Sequence, residues 1–234
     1  MISFNEKKIT SADREMSKRS FDIEKKSFDI IDAEIGVHHY DNSEWIIVRR
    51  VIHATADFDF AREGERIIFH RNAIESALNA IENKCNIVTD VDMVLSGINK
   101  KSISSLGLKA MCYISNQSVI DESRKSNRTR SEVAMRHAAN EMDGGIVAIG
   151  NAPTALYETI KMINERTAIP ALVIGVPVGF VSALESKREL AMTKIPFVSN
   201  NGRKGGSAVA SSIVNAMMLL FQRSQSDLTT ALAR

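Results

Sequence analysis

Cysteine is nearly absent: Cys85 and Cys112 are the only two in 234 residues. Each lies in or beside an apolar run, so a disulfide framework is excluded and both read as small buried hydrophobes. A reducing cytoplasm suits such a chain. An excess of one charge is missing as well. A formal net charge of +2 argues for neither a nucleic acid nor a membrane as partner, although a sequence pI near 8.5 leaves a small polyanion welcome. No apolar run reaches the length that crosses a bilayer. The opening stretch MISFNEKKITSADREMSKRS has no apolar h-region, so no export signal is expected.

The common nucleotide signatures are absent too. GRKGGSAVASS, Gly202 to Ser212, is a glycine-rich basic loop opening a helical pattern, but Lys204 precedes the paired Gly205 and Gly206, where a P-loop needs lysine after its last glycine. GNAPTAL and IGVPVGF are small-residue turns, and neither is G-x-G-x-x-G. The remaining histidines, His38, His39, His70 and His137, have no metal-ligand spacing with His53 or the cysteines, so no protein-bound metal is expected.

A composition of 44% hydrophobic and 25% charged residues is that of an ordinary globular domain. Residues 1–26 are polar and charged, an arm or helix, and the fold proper is expected over 27–234. Helical spacing appears in SFDIIDAEI, in WIIVRRVIHA and in RNAIESALNAIE. After these come the short apolar runs NIVTD, KAMCYIS, GGIVAIGN, ALVIGVP and IPFVSN, separated by amphipathic stretches. Near-continuous apolar strands alternating with helices predict an α/β fold of three layers, a mostly parallel sheet covered on both faces, in a single domain. Thr129 to Glu132 and Ser182 to Glu185 fit a capping box, Pro153 suits a first helical turn, and Ser207 suits an N-cap. Ligands of such sheets sit beyond the carboxyl ends of the strands, here Asp90, Ser115, Gly150 and Asn151, the segment 175–180 and the segment 199–207.

Several residues at that edge carry chemistry. Arg130 stands in the first turn of a capped helix, where a cation opposes the helix dipole by up to ~1 kcal/mol; either it grips an anion or it belongs to a solvated basic loop with Arg124, Lys125 and Arg128. His53, in VIHATADFDF, is either a proton donor oriented by Asp57 or Asp59 or a histidine packed beside Val51, Ile52 and Ala54. TDVDM, with Asp90, either holds a ligand group or a magnesium ion or is a short acidic turn that caps the following helix.

Taken together, SFDIIDAE, VIHATADF, VTDVDM, NRTRS, AIGNAPTAL, IGVPVGFVSALESK and GRKGGSAV, in this order from about Ser27 to Asn215, resemble the precorrin-8X methylmutase family of cobalamin biosynthesis. The resemblance implies an isomerase that shifts a methyl group between adjacent carbons of a precorrin-8 or cobalt-precorrin-8 macrocycle, giving hydrogenobyrinate or cobyrinate. It implies no added cofactor, any cobalt being carried by the corrinoid substrate, and a homodimer with active sites at the subunit interface. A non-catalytic corrinoid carrier is the alternative. The family's catalytic histidine falls on His53, its substrate-contacting arginine on Arg130 beside Thr129, and its serine on Ser27. The corrinoid's acetate and propionate groups then become the expected anions, held by Arg130 and Arg203 with help from the backbone of Gly205 and Gly206, with Asp90 and Asn151 as further substrate-binding residues and Met93, Val178 and Phe180 as apolar walls. Asn201 stands where the family often has arginine.

Overall fold

Five apolar runs pair side by side as predicted, and a sixth strand closes one edge. The structure, a computed structural model, describes residues 11–232, with side chains described over 18–226. It divides into two units, residues 1–38 and 39–234. In the first, helix α1 (Ser11–Ile35) runs unbroken through Ser27.

The second unit opens with α2 (Asn42–Thr55), which carries a full capping box between Asp41 and Glu44 and ends in Ala56 at φ 54°. A 3-10 turn (Phe58–Ala61) leads to β1 (Ile67–Phe69) and α3 (Ala73–Glu82). Then come β2 (Asn86–Thr89), α4 (Asp92–Gly97), α5 (Lys100–Leu106), β3 (Lys109–Cys112) and α6 (Gln117–Lys125). The chain continues through α7 (Arg130–His137), α8 (Ala139–Met142), β4 (Ile146–Ile149), α9 (Pro153–Glu165) and β5 (Leu172–Gly175). It closes with α10 (Ala183–Ala191), β6 (Phe197–Asn200) and α11 (Ser207–Leu232).

The strand order is β1-β6-β5-β4-β2-β3. All neighbours are parallel except β1, which runs antiparallel to β6 with Ile68 opposite Ser199. Every residue of β4 and β5 is buried, as expected for parallel strands covered on both faces. Val147, Ile149 and Val173 turn to one side, where Met135, Leu156, Ile160 and Leu190 of α7, α9 and α10 close over them. Full burial of a side chain such as Leu156 contributes ~2 kcal/mol. Gly175 lies so close under α9 and α10 that a Cβ there would collide with Leu190 and crowd Leu156. On the other side α11 lies against β4 and β5 and packs with α2, α3 and α4, through buried Val209, Ile213 and Met217.

The connection from β2 goes outward to β3, and the chain then returns past β2 to β4 and builds the sheet the other way. That reversal places a crevice between the carboxyl ends of β2 and β4. The capping box predicted at Thr129 is present, and Pro153 stands in the first turn of α9 with Ala152 at the N-cap. The one predicted at Ser182 is absent: Ser182 has φ 63° and its side chain makes no cap bond. Ser207 is the first helical residue of α11 instead of its cap. Cys85 is buried and Cys112 half-buried, both unpaired, and burial pushes both thiols up to about 11.

Candidate active site

At the reversal point the Asp90 carboxylate faces inward. One oxygen accepts the Gly150 N–H at 3.0 Å and the other accepts those of Asn151 and Ala152 at 2.8 and 2.7 Å. Burial pushes this carboxyl up, opposed by donation from Ala152, Gly150 and Asn151. Asp90 is 0% exposed, and both of its oxygens accept backbone N–H groups. It fixes the turn after β4, while Asn151 itself is exposed.

The glycine-rich loop is braced in the same manner. Glu65 accepts the backbone N–H of Arg203 at 3.0 Å and of Lys204 at 3.1 Å, so those amides hold an anion that belongs to the protein. From the other side, the buried Lys187 donates to the carbonyls of Gly202 at 2.8 Å and Lys204 at 2.6 Å. Desolvation pulls the Lys187 ammonium down to about 8, with Glu65 opposing. The Gly206 N–H donates to the Val176 carbonyl at 3.0 Å, which removes it as a substrate donor. Gly205 serves close approach: its φ is 151° and a Cβ would strike that same carbonyl oxygen.

What the edge presents outward is basic and apolar. Arg203 is exposed and its guanidinium lies 5.9 Å over the Phe180 ring. Met93, in the first turn of α4, is 72% exposed, and in the loop after β5 Phe180 is 85%, Val181 82% and Val178 45% exposed, an unusual concentration of large apolar side chains in the segments after β2 and β5. Those strands flank β4, so the two loops stand ~10 Å apart. Arg130 is the exposed first residue of α7. Thr129 accepts the Glu132 N–H and its hydroxyl meets that of Thr154 at 3.2 Å, which ties the start of α7 to the start of α9 and carries Arg130 to the same edge.

His53 lies in the last turn of α2. Ile47, Val48, Val51 and Ile52 form the buried face of this helix, and His53 and Ala54 fall on the exposed side, which corrects the packed reading of both. Asp57 and Asp59 each give a carboxylate oxygen to the Lys204 ammonium at 2.7 Å. Ser27 is half-buried on α1, its hydroxyl donating to the Ile23 carbonyl at 3.0 Å. Among the described residues no group of histidine, cysteine or carboxylate side chains could hold a metal.

Sequence reasoning missed Glu65 and Lys187. Glu65 stands in an ordinary polar turn and carries no local signal. Lys187 had one: ALESKREL places it on the helix face of Ala183, Ser186 and Leu190, and a lysine on a buried face requires a partner.

The fold and this edge define a doubly wound α/β protein whose strand ends expose large apolar side chains and two arginines. A family model described as precorrin-8X methylmutase matches residues 22–220. The chain is 48% identical to the cobalt-precorrin-8 methylmutase of Priestia megaterium over 85% of its own length and 87% of the relative's. It is 43% identical to that of Leptospira interrogans, over 88% and 96%. The solved structure of precorrin-8X methylmutase from Thermus thermophilus superposes with a TM-score of 0.81 at 37% identity, covering 86% of this chain and 96% of that one. The chain belongs to the precorrin-8X methylmutase family, isomerases that move a methyl group during cobalamin biosynthesis.

Proposed function

We propose that this chain performs the methyl shift on cobalt-precorrin-8, the substrate in the names of the relatives from Priestia megaterium and Leptospira interrogans, and does so as a cytoplasmic homodimer with its sites at the subunit interface. The observation that carries the reading is the carboxyl edge itself: Met93, Val178 and Phe180 stand exposed there, on the same edge as Arg130 and Arg203. A flat macrocycle covers the apolar floor, and its carboxylates pair with the guanidinium groups. No redox cofactor is required, because an isomerisation leaves atoms and electrons unchanged, and the cobalt travels with the substrate.

His53 lends a proton to the conjugated ring, which draws electrons toward the protonated position and lowers the barrier to migration. The proton returns once the methyl has moved. Such a donor typically contributes ~10²–10⁴-fold in rate. The decisive experiment is anaerobic incubation of the purified protein with cobalt-precorrin-8, followed by absorption spectroscopy. Conversion to the product spectrum is expected. Stoichiometric binding without spectral change would leave a carrier. Light scattering during turnover should give twice the 25.8 kDa chain mass; a monomer that still turns over would refute the interface site.

A further inference from the structure

We infer that Lys204 is a positioning residue that holds the glycine-rich loop and the His53 helix in one frame, an assignment that rests on the His53 reading above. Polar groups of Lys204 are engaged along its whole length. Its N–H goes to Glu65 at 3.1 Å, and its carbonyl accepts from Lys187 at 2.6 Å and from the Asn200 amide at 3.0 Å. Its ammonium then reaches Asp57 and Asp59, each at 2.7 Å.

Those two carboxylates belong to the turn that terminates α2. Asp57 accepts the Asp59 N–H at 3.0 Å, the Asp57 N–H reaches the Thr55 hydroxyl at 3.3 Å, and that hydroxyl donates to the Val51 carbonyl at 2.8 Å. A continuous chain of bonds therefore runs from Lys204 into the last turn of α2, where His53 stands. On the other side of the loop, the carbonyl of Arg203 accepts the Gly179 N–H at 3.1 Å, which ties in the segment bearing Phe180. The Lys204 ammonium holds the Asp59 carboxyl below the usual carboxylate range. Without that cation, like charges two residues apart on one short turn repel, and the turn loses its reason to stay closed.

An exposed ion pair usually contributes little because flexible side chains must be ordered to make it. Here one end is fixed already, since the Lys204 backbone is held on both its N–H and its carbonyl. The expected consequence is geometric: the proton donor on α2 and the carboxylate grip at Arg203 keep a constant separation across turnover. Misplacement of a reacting group by about 1 Å costs roughly 10²-fold in rate, so the effect belongs in kcat.

The test compares Lys204→Met, Lys204→Arg and Asp59→Asn with the wild type, reading kcat, KM, product binding by absorption titration and thermal stability. Lys204→Met should lose about 10- to 100-fold in kcat while product affinity stays within about threefold, with much of the rate restored in Lys204→Arg. Asp59→Asn, a milder change that keeps Asp57, should fall between. Combining Lys204→Met with His53→Ala should add almost nothing to the loss from His53→Ala alone. Unchanged kcat, equal losses in kcat and affinity, or additive losses in the double variant would each overturn the proposal. Full activity in His53→Ala alone would instead refute the underlying assignment of His53, and that single variant reports it separately.

Discussion

Asp90 and Asn151 lock the end of one strand to the turn after its neighbour: the Asp90 carboxylate, 0% exposed, accepts the Asn151 N–H at 2.8 Å. With the Gly150 and Ala152 amides bound to the same group, the turn after β4 is fixed by the protein itself. Truncating this side chain strands buried amides, each at ~1–3 kcal/mol. Asp90→Ala should therefore destabilise the protein by ~3–5 kcal/mol, read as a shift in urea midpoint, and Asp90→Asn by less because one acceptor oxygen remains. A change below ~1 kcal/mol in Asp90→Ala would show that water replaces the carboxylate without loss.

The contrast between Asp90 and Glu65 shows what the chain discloses by itself. TDVDM follows a readable strand, so Asp90 was placed at the correct edge, and only the direction of its carboxylate was hidden. Glu65 accepts from Arg203, 138 positions away, and no local pattern announces a partner at that range. The apolar runs of β4 and β5 are legible because both faces of each are covered, leaving unbroken hydrophobic segments, whereas β3, a partly buried edge strand, is legible only from the short apolar run KAMCYIS. β1 is not, being a three-residue edge strand, Ile67–Phe69. Ser182 mimicked a cap because S-x-x-E recurs by chance; the segment carrying Phe180 and Val181 outward brings Ser182 into the left-handed region, where its side chain makes no cap bond.

Arg130 opposes the dipole of α7 from its first position, so its removal has opposite effects on stability and on binding. Arg130→Ala should leave folding unchanged or improve it by ~0.3–1 kcal/mol. Corrinoid affinity should fall about 30-fold, the loss of ~2 kcal/mol for a charge-assisted hydrogen bond. Titration followed by absorption measures the second, thermal melting the first. An unchanged dissociation constant would move the grip to Arg128, the neighbouring basic residue.

Lys187 gives a pH signature of definite sign. Burial lowers its ammonium from 10.5 to about 8, so between those values the unfolded chain binds the extra proton and stability from this group rises with pH. Denaturation curves for wild type and Lys187→Met, taken from about pH 7 to about pH 10, should diverge as pH increases, the wild type gaining up to ~3 kcal/mol over the full window. The two N–H bonds of a neutral amine still satisfy the carbonyls of Gly202 and Lys204, so the loop should stay closed throughout. Parallel curves would show that the group remains charged across the range.

The most demanding expectation concerns His53, because its position separates chemistry from folding. The buried face of α2 is made by Ile47, Val48, Val51 and Ile52, and the imidazole projects from the other side. His53→Ala should therefore stay within ~0.5 kcal/mol of wild-type stability, as exposed substitutions generally do. Corrinoid binding should also survive, since the carboxylate grips at Arg130 and Arg203 are untouched. Conversion alone should fall, by ~10²–10⁴-fold if the side chain supplies the proton, and added imidazole should return part of that loss by filling the vacated space with the same acid. Single-turnover absorption with enzyme in excess isolates the rearrangement from binding. A His53→Ala protein that binds the corrinoid and still forms product at near wild-type rate would end the proton-donor assignment and turn attention to donors on the loops after β2 and β4.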